Sequence, residues 1–123
     1  MVGTSGMPGS RSFVLTAITG QAPRFFRAPA GLRSPLLDPV LSRLGLRLAT
    51  WTRRGFDTGV RDPERVTRRL LRGLGAGHIL LLHDGHAARG PDGEPLLLRV
   101  LPDVLEAVAA AGLRPVTLGS LVP

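Results

Sequence analysis

What most constrains this chain is the short-range alternation of helix-like and strand-like apolar patterns from residue 24 onward. Ser34 and Pro35 suit an N-cap and a first helical position, Leu37, Val40, Leu41 and Leu44 recur at helical spacing, and Gly45 supplies a stop. Leu46 to Thr50 alternates as a short strand. Asp62, Pro63 and Glu64 open a second helix with Val66, Leu70, Leu71 and Leu74 on one face, ended by Gly73, Gly75 and Gly77. Ile79 to Leu82 is an uninterrupted apolar run, the pattern of a strand buried on both faces of a parallel sheet. A third helix is expected from about Pro95 to Ala111, with Leu97, Leu98, Leu101, Val104, Leu105 and Val108 inward, a kink or late start at Pro102 and a stop at Gly112. Arg114 to Leu118 reads as a last strand.

Such alternation implies an α/β fold of parallel βα units, either an open sheet or part of a barrel. In both, chemistry gathers at the C-terminal ends of the strands. Three stretches therefore stand out: Phe26 to Gly31, Trp51 to Asp57, and His83 to His86. A length of 123 residues suits one domain, and a 43% apolar content is enough to build a core. No apolar run approaches the roughly 18 to 20 residues that cross a bilayer, so no membrane span is expected. The absence of cysteine excludes disulfides, thiolate nucleophiles and cysteine-based zinc fingers.

Residues 1–22 differ from the rest. Gly and Pro punctuate Met1 to Ser12, which reads as a flexible or atypical segment. Phe13 to Ile18 is too short for the apolar part of an export signal, and Pro23 follows where small residues would be wanted, so the compartment stays open. All 16 basic residues are Arg, and the net charge is +7. A positive field favours polyanions in general without specifying one. Arg61, Arg65, Arg68, Arg69 and Arg72 share the outer face of the second helix, where a solvated face is the expectation. With one Trp and four Phe, stacking platforms are scarce and nucleic acid is not the expected partner. The glycines from Gly73 to Gly77 follow a helix and precede a strand, the reverse of a dinucleotide fingerprint. His83, Asp84 and His86 would make a metal site only if Asp57 or His78 joined them, and His86 otherwise reads as a solvated loop residue. Taken alone, His83 reads as a satisfied histidine at a strand end.

Three segments carry a resemblance. Phe26-Arg27-Ala28-Pro29-Ala30-Gly31, Trp51-Thr52-Arg53-Arg54-Gly55-Phe56-Asp57 and Leu80-Leu81-Leu82-His83-Asp84-Gly85 resemble, in order, the third, fourth and fifth motifs of the polysaccharide deacetylases, the NodB-homology carbohydrate esterases. The similarity spans about residues 20–121, so 23–123 would be the C-terminal part of that domain. The resemblance implies a partial, distorted β/α barrel that removes N- or O-acetyl groups from an acetylated carbohydrate or small acetylated substrate, using a divalent, zinc-like metal. His83 would be the general acid. Leu81 would line the pocket for the acetyl methyl group, and Pro29 would stand in the substrate-binding stretch. Arg27 would orient the catalytic aspartate, and Asp57 with Trp51 would support the wall behind His83. Imidazole titrates near neutrality, and such a proton transfer is worth about 100-fold to 10,000-fold in rate.

The departures are equally specific. The 26 residues before Arg27 contain no Asp, Glu or His, so the family's paired aspartates and paired histidines have no counterpart in this chain. Arg54 stands where the family often has Asp, and Thr58 where it often has Trp. Metal ligands are thus expected to be absent and the chain alone inactive. Two arrangements follow: an enzyme whose N-terminal half lies elsewhere, in a longer protein or an oligomer, or a non-catalytic remnant that binds carbohydrate or is completed by a partner.

Overall fold

A computed structural model describes the backbone of residues 8–122 and the side chains of residues 14–122. The chain forms two compact units that divide between Thr50 and Trp51.

In the first unit, helix α1 covers Pro8–Thr19, where the sequence pattern offered only a short apolar run. Its end is fixed by Gly20, whose φ of 72° lets the Gly20 amide reach the Thr16 carbonyl. The first seven residues of the expected flexible segment lie outside the described ones. Strand β1 (Phe25–Phe26) pairs in parallel with β2 (Arg47–Leu48), and helix α2 (Leu37–Arg43) connects them. The predicted stop at Gly45 is present, with φ 65°. It allows the Leu46 amide to return to the Leu41 carbonyl, tucking both leucines inward. Helix α2 starts later than the Ser34-Pro35 signature suggests, because those residues form a turn, closed by Leu37 N–H to Ser34, that precedes it.

In the second unit, β3 (Arg53–Arg54) pairs in parallel with β4 (Leu80–Leu81), and helix α3 (Pro63–Leu71) crosses between them. Parallel βα units are therefore observed in both halves, as two small sheets. The Asp62 carboxylate caps α3 by accepting from the amides of Glu64 and Arg65, and Pro63 fills the first position, where no amide hydrogen is needed. At the other end the Arg53 guanidinium donates to the Arg72 carbonyl, which leads into Gly73.

Helix α4 (Leu97–Ala110) packs on α3, and Val66, Leu70, Leu96, Val100, Val104 and Val108 form the core between them. Val104 and Val108 face inward as expected, but the rest of the expected inner face of α4 is corrected. Leu98, Leu101 and Leu105 point outward and are exposed. Several stripes of α4 are apolar, so period alone does not choose among them; contact with α3 selects the valines. Pro102 lies within the helix without ending it, because the Leu98 carbonyl it leaves unbonded belongs to the exposed side. Residues 113–117 form no strand, a second correction, and the chain runs instead into a single turn, α5 (Leu118–Leu121). A strand exists only through a partner, and Arg114 to Leu118 meets none among the described residues.

Candidate active site

In the second unit both strands leave their pairing at the same end. Arg54 lies opposite Leu81 in register, so the segments after β3 and β4 emerge side by side at the C-terminal edge. Gly55 makes the first step possible. A Cβ there would fall 2.5 Å from Val66 Cγ1, so only glycine lets the chain leave β3 this close to α3. Phe56 then adopts a left-handed conformation with φ 60°, costly for a bulky side chain, and its carbonyl accepts from the amides of Gly59 and Val60.

The turn delivers Asp57 into the interior, where it is 1% exposed. Both carboxylate oxygens are used. Oδ2 accepts from the backbone amide of His83 at 2.7 Å, and Oδ1 lies 3.0 Å from Nδ1 of the His83 ring. The Asp57 carbonyl accepts from the Ala88 amide at 2.7 Å, and the Ala88 carbonyl accepts from Leu96 at 2.8 Å. An ionised carboxylate only accepts, so Nδ1 carries the hydrogen and donates it. The other nitrogen, Nε2, is left as the working atom of a ring that is 42% exposed. Neutral, it accepts a proton; as imidazolium, it gives one.

The structure brings together two of the residues singled out from the sequence, Asp57 and His83, through a direct pair of hydrogen bonds. Leu81, two residues before His83, is 8% exposed and spends most of its surface in the core. Trp51 is half-buried at the opposite end of the strand pair, where its neighbour Thr52 exchanges side-chain bonds with the amide and carbonyl of Ile79. Arg27 and Pro29 belong to the first unit. Arg27 is exposed directly after β1, and Pro29, also exposed, opens a one-turn helix with Ala30 at φ 53°.

A feature the sequence reading missed surrounds Phe56. The Arg54 guanidinium lies 4.0 Å from the ring centroid and that of Arg69 5.2 Å, so two cations share one aromatic ring. Arg69 belongs to the helix face expected to be solvated, and no local pattern announces that Phe56 folds back onto it.

The described residues do not fit a metal. Both Asp57 oxygens are engaged by His83, Asp84 and His86 are exposed, and the described residues contain no group of three or more His, Asp or Glu able to hold an ion. The alternative of a site at His83, Asp84 and His86 completed by Asp57 or His78 is not formed here.

No protein-family model and no curated protein sequence matches the chain. Solved structures do. A family 4 carbohydrate esterase from Streptomyces lividans in complex with acetate superposes with a TM-score of 0.74 at 23% identity, over 89% of this chain and 52% of that one. A deacetylase with bound substrate gives 0.72 at 24% identity, over 89% and 50%. A mutant family 4 pseudoenzyme with restored enzymatic activity gives 0.73 at 19% identity, over 86% and 36%. The chain thus has an α/β fold shared with carbohydrate esterases and deacetylases. It spans about half, or less, of the chains it resembles.

Proposed function

We propose that this chain supplies the acid side of a carbohydrate deacetylase site, with His83 delivering a proton from Nε2 to the leaving amine or alkoxide. The supporting observation is the Asp57–His83 pair at the C-terminal end of parallel strands. Asp57 is a positioning residue in this reading: it fixes the ring, selects the tautomer and stabilises the imidazolium. Leu81 would contribute to substrate binding, while Trp51, at the other end of the strand pair from His83, is given no part in the wall; the roles of Pro29 in substrate binding and of Arg27 in orienting an aspartate from outside these residues rest on the resemblance of their motif alone. The general base and the ligands of a divalent, zinc-like metal would likewise come from outside them, so the chain alone is expected to be inactive.

A second reading, a non-catalytic module that binds acetylated carbohydrate, is favoured by one observation: the described residues offer no three-ligand group. One experiment separates the two. The native protein, isolated from its source with whatever chains accompany it, is assayed with zinc for acetate release from an N-acetylated oligosaccharide, beside the same assembly carrying His83→Ala. Acetate release that falls about 100-fold to 10,000-fold in the variant supports the acid role. Release that survives the substitution overturns that role, and oligosaccharide binding without release establishes the second reading.

A further inference from the structure

The Arg54–Phe56–Arg69 cluster points to the kind of sugar this chain handles. Phe56 is 44% exposed and, with Thr58, Gly59, Val60 and Arg69, lines an open groove of about 330 Å³. That volume falls at the lower end of the range for small-ligand sites, enough for one charged sugar unit. Two guanidiniums converge on the ring, and among the described residues neither forms a salt bridge with a carboxylate. The ring offsets part of the mutual repulsion of the two cations, and a guanidinium beside an aromatic ring keeps N–H donors that a bidentate anionic acceptor can use. Phe56 and Thr58 flank Asp57, so the groove begins within one residue of the pair that holds His83.

Resting on the deacetylase reading, we infer that the groove binds an acidic sugar unit of the substrate, with Arg69 at the groove wall and Arg54, which stands beside the groove on the Phe56 ring, contacting its carboxylate or phosphate, and Phe56 lying against the ring carbons. The substrate class is then an anionic acetylated glycan. The left-handed turn at Phe56 serves this arrangement, since it presents the ring between an arginine on β3 and one on α3.

The test is binding, so its outcome does not depend on acetate release. The full chain is titrated calorimetrically with a neutral N-acetylglucosamine hexasaccharide and with a hexasaccharide alternating uronic acid and N-acetylglucosamine. We expect the acidic chain to bind about tenfold more tightly, the difference vanishing in R54Q/R69Q and persisting in R61Q/R65Q. Far-UV circular dichroism verifies that R54Q/R69Q is folded; for the unmodified protein the same preference must shrink steeply between 0.05 and 0.5 M salt, on the order of a several-fold change in Debye screening. Equal affinity for the two sugars overturns the inference. So does a preference that survives R54Q/R69Q, or one lost equally in R61Q/R65Q, which would trace it to the general positive field. Tighter binding of a single-stranded oligonucleotide of equal charge, with the same dependence on Arg54 and Arg69, would replace the glycan by nucleic acid.

Discussion

Replacing Asp57 separates what its carboxylate does for the fold from what it does for the histidine. In Asp57→Ala two bonds to a buried acceptor disappear and the His83 amide loses its partner. Hydrogen bonds to charged groups contribute about 1.5 to 3 kcal/mol each, and an orphaned amide costs about 1 to 3 kcal/mol. Allowing for relaxation around a half-exposed ring, a net loss of about 3 kcal/mol is expected, a fall in Tm of roughly 12 °C for a chain of this size. Asp57→Asn behaves differently. Its oxygen still accepts from the His83 amide, but the other atom becomes an NH₂ donor aimed at Nδ1, so the ring must move its hydrogen to Nε2. That variant should melt within about 4 °C of the parent, a loss of roughly 1 kcal/mol. Nitrogen-15 correlation spectra of the imidazoles report the tautomer, and with three histidines in the chain the His83 signal is identified by a single His83→Gln control. If Asp57→Ala melts like the parent, or if His83 keeps its hydrogen on Nδ1 in Asp57→Asn, the carboxylate does not set the ring and the reasoning fails.

Two further outcomes can be checked by unfolding. Gly55→Ala places a methyl group 2.5 Å from Val66 Cγ1, and both α3 and the strand exit must shift, so urea titration should show a loss of about 1 to 3 kcal/mol with an unchanged m-value. Asp92 is held below the ordinary carboxylate pKa of 3.8, chiefly by its hydrogen bond from Arg99, with burial opposing. Its contribution is present above pH 3.8 and is lost as pH falls through the lowered value, so the stability gap between the parent and Asp92→Asn should be small at pH 6 and close at lower pH. A gap that widens on acidification would refute the assignment.

Local chemistry made much of the fold readable. Asp62, Pro63 and Glu64 announce α3 because a cap acts within one turn, and Gly45 announces the end of α2 for the same reason. What failed depended on distant partners. Arg114 to Leu118 has strand-like residues and no strand to join, and the leucines of α4 match a helical period that also fits its valines. In the candidate site, His83 and Asp57 stood out through the motifs that carry them, yet their direct bonds span 26 positions and need the parallel register of β3 and β4 to form. The left-handed turn at Phe56 was illegible for the opposite reason. Nothing near it in sequence requires a positive φ; it occurs together with the packing of Gly55 on α3 and the two guanidiniums around the ring, contacts that only the folded chain makes.

The bonds from Asp57 to His83, from the Ala88 amide to the Asp57 carbonyl, and from Leu96 to Ala88 act as rivets at both ends and the middle of the segment between β4 and α4. The stretch 84–87 hangs between fixed points, and 89–95 is a small hairpin closed on itself by the Arg89–Pro95 bridge and the Gly90 amide to Glu94 carbonyl bond, and tied to α4 by Arg99 on Asp92. Insertions or deletions in either would reshape the rim above the imidazole without displacing it, so a lineage carrying this scaffold is free to explore new specificities by loop length while its histidine stays in place.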